Sequence, residues 1–215
     1  MSEMAKLEET FEPENLKLRT AWALFFSSQT KTSSWETKRI YDFDNVGDFM
    51  NLTNHTKLPS NFTGTIELSM FRGGVTPDWE LEPCKSGGRW NVRIEKLPDS
   101  QIDHAWSELL LALVGSSMVA DLPENLQSSV LGVAYSGKPQ AARKFSLWIS
   151  CRDAESCNLI GNKFKDTLQA ILPQRELGEF AFNDFTTNDK YAFLLGTKRD
   201  NKRPVAPKRN SPTKI

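Results

Sequence analysis

Two tryptophans sit where a folded core has little use for them. Trp35 lies in Ser33-Ser34-Trp35-Glu36, a polar stretch between two apolar runs, and Trp79 in Pro77-Asp78-Trp79-Glu80-Leu81-Glu82, an acidic turn after Gly73-Gly74. An indole in such a loop faces water unless something flat stacks on it. Two exposed indoles can sandwich a planar ring, best a cationic one, because the π-face attracts positive charge. Glu80 extends the arrangement. Its carboxylate can accept two parallel N–H bonds, and the N1–H and exocyclic amine of guanine form such a donor pair. Further on, Lys138, Arg143 and Lys144 precede Trp148, with Arg152 beyond and no acid between, a turn suited to phosphates. Together these residues describe a site for a positively charged guanine joined to phosphates, as in an N7-methylguanosine cap. Each element alone is common, and packing of all the tryptophans into a core is the plain alternative.

The rest of the composition closes off most other chemistry. Only two histidines occur, His55 and His104, and the three cysteines, Cys84, Cys151 and Cys157, have no CxxC spacing. A metal cluster, a Ser-His-Asp order and a Walker loop are all missing from the sequence, so no metal or cofactor is expected. Lysine plus arginine (27) cancels aspartate plus glutamate (27), so any nucleic-acid contact must come from a local patch. There is no apolar run of about 18 residues, so no membrane span is expected, and Met1 opens no signal-like segment. An odd number of free thiols suits a reducing compartment, the cytoplasm or nucleus.

The elements that must position these residues follow from periodicity. The chain of 215 residues fits one domain with ragged ends. Residues 1–17 read as an acidic, flexible arm carrying Glu3, Glu8, Glu9, Glu12 and Glu14. Residues 196–215 read as a basic, disordered tail with Pro204, Pro207 and Pro212, where Ser211-Pro212 is a weak phosphorylation signal. Between them, over 18–195, eight strands are predicted, beginning at Trp22-Ala-Leu-Phe-Phe and ending at 190–195. Three helices interrupt them: one capped by Asp44 or Asn45, one over about 101–113, and one capped by Asp153 that stops before Pro173. Short turns between strand pairs predict an α+β domain on an antiparallel sheet. At about 100° per residue, Ile102, Trp106, Leu109, Leu110 and Leu113 share a buried arc, and Leu111 falls opposite them. Trp22, Trp90 and Trp106, with apolar or alternating neighbours, are expected in the core.

The segments Trp22-Ala-Leu-Phe-Phe, Phe43-Asp-Asn-Val-Gly-Asp-Phe, Pro77-Asp-Trp79-Glu80, Gly87-Gly-Arg-Trp90 and Trp106-Ser-Glu-Leu-Leu-Leu-Ala-Leu-Val-Gly resemble the eukaryotic initiation factor 4E family, the mRNA cap-binding proteins of translation. The resemblance runs from about Leu18 to Leu195. It implies a curved antiparallel sheet of about eight strands backed by three helices, with the cap in the concave face. It makes Trp35 and Trp79 the stacking pair, Glu80 the base-edge acceptor and Trp148 the neighbour of the N7-methyl group. Lys138, Lys144 and, in a turn one residue longer than the family pattern, Arg143 take the phosphates.

The same resemblance puts a scaffold or repressor protein on the convex face, at Val46, Met50, Ser107, Glu108 and Leu111. Met50 stands where the family has tryptophan, Ser107 where it has leucine, and Leu16-Lys17-Leu18 where it has His-Pro-Leu. The sequence thus reads as a divergent isoform, monomeric before partner binding, that recruits capped mRNA through a scaffold. A cap-bound repressor and a general single-stranded RNA binder remain open. A cap-hydrolysing enzyme fits poorly, because Glu80 and Glu82 are isolated and no helix carries an acidic stripe to hold a metal.

Overall fold

The computed structural model describes residues 16–29, 35–137, 143–187 and 189–195. The expected arm before residue 16, the basic tail from 196 and Lys138 lie outside them. The first strand, β1 (Lys17–Gln29), starts five residues before the apolar run that marks it in the sequence. It does so because the Val46 N–H bonds to the Leu16 carbonyl at 2.9 Å and Lys17 pairs with Asp44 at 2.9 Å. Lys17 therefore belongs to the domain and not to the arm. β2 (Trp35–Asn45) returns alongside β1 and leads directly into α1 (Val46–His55). Asn45 is the cap: its side chain accepts from the Asp48 N–H at 2.8 Å, leaving Asp44 for Lys17.

β3 (Ile66–Arg72) and β4 (Gly88–Ile94) precede α2 (Asp99–Val114). On α2 the predicted arc of Ile102, Trp106, Leu109, Leu110 and Leu113 is buried, while Leu111 is 51% exposed. A six-residue helix, α3 (Glu124–Ser129), follows, with short 3-10 turns at Pro59–Asn61 and Ser117–Val119. None of these was expected, since a single turn is too short to show a period. β5 (Val130–Gly137), β6 (Arg143–Ile149), α4 (Ala154–Ile171), β7 (Phe180–Asp184) and β8 (Asp189–Leu195) complete the chain. Asp153 caps α4 by accepting from the Ser156 N–H at 2.9 Å.

The strands form one curved sheet in the order β2-β1-β3-β5-β6-β4-β7-β8, antiparallel at every pairing. Successive side chains point to opposite faces, and the two faces pack differently. On one, strand residues such as Trp22, Leu68, Trp90 and Leu147 meet the helices in a large core. Trp90 donates its indole N–H to the Cys157 carbonyl at 2.9 Å, which joins β4 to α4. Gly161 permits that approach: a Cβ there would lie 2.4 Å from the Trp90 ring. Among the described residues the other face bears no helix. Its apolar cluster holds only Ala23, Phe25, Phe71, Cys84, Leu131 and Trp148, with Val75 and Phe185 against it. We call the two the helix face and the open face.

Candidate functional site

The floor of the open face is read directly from the strand register. In one row across β3, β5, β6 and β4 stand Glu67, Ser136, Lys144 and Arg93, each the register partner of the next. The next row holds Ser69, Ala134, Ser146 and Asn91. The third holds Phe71, Gly132, Trp148 and Arg89. The floor therefore grades from charged, through small and polar, to aromatic.

At the charged end, burial and the nearby Arg89 lower the Lys144 ammonium to a pKa of about 8, with Glu67 opposing the shift. In the middle row the Ser146 hydroxyl donates to the Asn91 side-chain oxygen at 2.9 Å. At the aromatic end the Arg89 guanidinium lies 5.3 Å from the Trp148 ring centroid and 5.9 Å from that of Phe185. Burial lowers the Arg89 pKa as well, again with Glu67 opposing. Among the described residues four buried side-chain polar atoms lack a partner. Three of them, Ser69 Oγ, Arg89 Nε and Trp148 Nε1, belong to this face. Buried polar groups are normally satisfied, so a face that concentrates the exceptions is suited to a polar ligand.

Two loops bring the remaining residues. The loop from Arg72 to Gly88 leaves the aromatic end of β3 and is anchored on the open face by Cys84, whose thiol contacts the Thr76 carbonyl at 3.5 Å. Burial raises the Cys84 thiol to about 11, so it stays protonated. Trp79 stands out from this loop, 52% exposed. The Glu80 N–H is held by the Asp78 carboxylate at 2.9 Å. The Glu80 carboxylate itself is exposed and has no partner among the described residues, whereas that of Glu82 accepts from the Ser86 hydroxyl. Trp35, also 52% exposed, opens β2 opposite Gln29, at the charged end of the face. The two indoles thus come from opposite ends of the strands.

Not every sequence candidate reaches this face. Arg143 points to the helix side with Phe145 and Leu147, is 8% exposed, and bonds Asp99 at 3.3 Å. The strand alternation that exposes Lys144 to the open face removes Arg143 from it. Trp148 is on the face but only 2% exposed, beneath Arg89. Arg89 and Arg93 received no role from the sequence, although the signal was present. In β4 the alternation of Trp90, Val92 and Ile94 toward the core sends Arg89, Asn91 and Arg93 to the other side.

On the helix face, the Val46 backbone is tied to Leu16, and Met50 is 50% exposed on α1. Ser107 lines a narrow groove shared with Leu52 and Thr53 of α1 and with Thr56 just beyond it. Glu108 and Leu111 line a wider groove, of about 480 Å³, shared with Thr167, Ala170 and Ile171 of α4. Among the described residues no helix is long and apolar enough to cross a membrane, and no group of three metal-ligating side chains is present.

Comparison with known proteins gives the family. The family model described as "Eukaryotic initiation factor 4E" matches residues 17–194. Human eukaryotic translation initiation factor 4E is 33% identical over 187 residues, 84% of this chain and 83% of its own length. Among solved structures, Ascaris suum eIF4E-3 with m7G cap superposes with a TM-score of 0.71 at 28% identity, covering 85% of this chain and 99% of that one. The complex of C. elegans eIF4E-3 with the 4E-binding protein Mextli and cap analog superposes at 0.68 and 25% identity, covering 84% and 99%.

Proposed function

Because the chain belongs to the eukaryotic initiation factor 4E family, we propose that its open face binds the 7-methylguanosine cap of mRNA and its helix face engages a scaffold or repressor of translation initiation. The observation that carries the reading is the graded floor. An aromatic row lies beside the loop bearing Trp79 and the unpartnered Glu80 carboxylate, and a cationic row lies at the other end. A cap has the same polarity, a flat cationic base at one end and phosphates at the other. Relatives solved with m7G cap and with a 4E-binding protein support both halves.

In this reading Trp79 and Trp35 stack on the two faces of the base, and Glu80 accepts from its N1–H and amine. The methylated base is cationic, so the π-faces and the carboxylate both favour it over plain guanine. Lys144, Arg89 and Arg93 draw the phosphates, together with Lys138. Trp148 meets the N7-methyl group once Arg89 swings toward the phosphates. Arg143 has a structural role, holding β6 to the start of α2. The family's members are cap-binding factors, and no residue here is assigned a catalytic step.

Val46, Met50, Glu108 and Leu111 are the partner contacts, with Ser107 in the groove toward α1. A second reading, a cap-bound repressor that recruits the scaffold poorly, draws on Met50 and Ser107, where the family carries large apolar side chains. Tryptophan-fluorescence titration with 7-methyl-GTP, with GTP as control, tests the primary reading. Selective quenching by the methylated nucleotide is expected, and equal quenching by both overturns it. Uncapped RNA competing as well as capped RNA would point instead to a general single-strand binder.

A further inference from the structure

A polar cavity also lies away from the open face. It lies where the start of β1, the end of β3, the C-terminus of α2 and the short helix α3 meet, and it holds about 220 Å³. That is below the ~300–1,000 Å³ of pockets for drug-sized molecules, so it suits a chemical group and not a whole cofactor. Its charged lining is Arg19, Arg72 and Glu124. Arg19 donates to Glu124 and to the Gln127 side chain, each at 3.1 Å, and both members of that ion pair are largely exposed.

Arg72 is the unusual member. Its Nε donates to the Val130 carbonyl at 2.5 Å, Nη1 to the Thr20 hydroxyl at 3.0 Å, and Nη2 to the Gln127 carbonyl at 2.7 Å. All three acceptors are neutral. The guanidinium also lies 5.6 Å from the Trp22 ring centroid. A guanidinium has five N–H groups, so two remain, and among the described residues no carboxylate bonds Arg72 to balance its charge. Burial and then the repulsion of Arg19 lower its pKa. Trp22 lines the same cavity, and its buried indole N–H has no acceptor. Two cations against one exposed carboxylate leave a positive surplus in a partly dry concavity.

We propose that this cavity is an oxyanion site, taking a phosphate or carboxylate group on Arg72 and Arg19. An oxyanion supplies the charge that Arg72 lacks and acceptors for its spare N–H groups, in the forked geometry that makes arginine–oxyanion pairs strong. The opposing groups are Glu124, an exposed carboxylate already paired with Arg19 that an incoming anion must displace, and the carbonyl end of α2. The cavity adjoins the partner face: Ala112 and Met118 line both it and the groove that holds Leu111 and Glu108. The anion can therefore come from solution or from an acidic or phosphorylated side chain of a protein docked on that face. The site itself stands independently of cap recognition.

The test uses the full-length ¹⁵N-labelled chain, with the Trp22 indole N–H resonance identified through Trp22→Phe. Inorganic phosphate, N-acetyl-phosphoserine amide and N-acetyl-glutamate amide are titrated against sodium chloride of equal ionic strength. A saturable shift with a half-point of roughly 1–10 mM is expected for a single oxyanion. It should persist when 7-methyl-GTP is saturating. Arg19→Gln, a surface change, should weaken binding about threefold, and Arg72→Gln at least tenfold. If the phosphoserine or glutamate amide binds more tightly than phosphate, the occupant is a partner side chain; if phosphate binds best, it is a free anion. A shift no larger than that given by chloride overturns the proposal. So does a saturable shift that Arg19→Gln leaves unchanged, and that arm holds even if Arg72→Gln fails to fold.

Discussion

The open face and the helix face belong to the same sheet but use their residues in opposite ways. On the helix face the large side chains of the sheet disappear into contact with the helices, and the helix surface exposes the apolar Met50 and Leu111 among polar residues such as Glu108 and Thr167. On the open face the buried cluster is small, and the polar atoms around it, Ser69 Oγ, Arg89 Nε and Trp148 Nε1, are left without partners. Unpartnered polar groups cost stability unless a ligand meets them. A face that tolerates several is organised for a small polar ligand, whereas exposed apolar side chains on a helix suit a protein surface. The comparison predicts that changes on one face leave the other's affinity alone.

The largest effect that would break the comparison is at Glu80. Replacing it with alanine leaves two base donors unpaired and should weaken 7-methyl-GTP binding by about 1.5–3 kcal/mol. Glu82→Ala, whose carboxylate is taken by Ser86, should change it by less than about 0.5 kcal/mol. Calorimetry on both variants checks this, and the reverse ranking would move the site along the loop. Trp79→Ala removes one stacking surface and should cost about 1–3 kcal/mol, read by titration with folding confirmed by circular dichroism.

On the opposite face, Met50→Trp should strengthen the grip on a 4E-binding peptide by up to about 2 kcal/mol, as expected for an indole at an interface centre. Cap affinity should stay unchanged, and a shift in the cap constant would show that the faces are coupled.

The smallest effect is electrostatic. Lys144 titrates at about 8 in the free protein, and phosphates favour its charged form, so binding must raise that pKa. Affinity for the triphosphate should therefore fall severalfold between about pH 7 and pH 9.5, and Lys144→Met should flatten the profile. Folding stability moves the other way. A lysine depressed from its usual 10.5 penalises the folded state fully below pH 8, and the penalty is relieved as pH rises from 8 toward 10.5.

Much of the molecule was legible in advance, for local reasons. The α2 arc, the exposure of Leu111, the caps before α1 and α4, and the burial of Trp22, Trp90 and Trp106 all follow from periodicity and short-range hydrogen bonding. The six-residue α3 was not legible, because one turn leaves no period. Arg143 was assigned to the phosphates by its charge and its nearness to Lys144, and the pleat separates neighbours that sequence places together. Arg89 was overlooked although its parity with Trp90 gave its face.

Local pattern was enough for the eight strands, the three longer helices, their order and the residue types able to hold a cationic base, since these depend on side-chain chemistry and on intervals within a strand or helix turn. Which residues share a floor emerges with the folded sheet. The row of Glu67, Ser136, Lys144 and Arg93 draws on four strands, and the oxyanion cavity brings Arg19 beside Arg72 and Gln127. Such groupings rest on register between distant segments, which is fixed by packing of the whole core and is not encoded in any local stretch of chain.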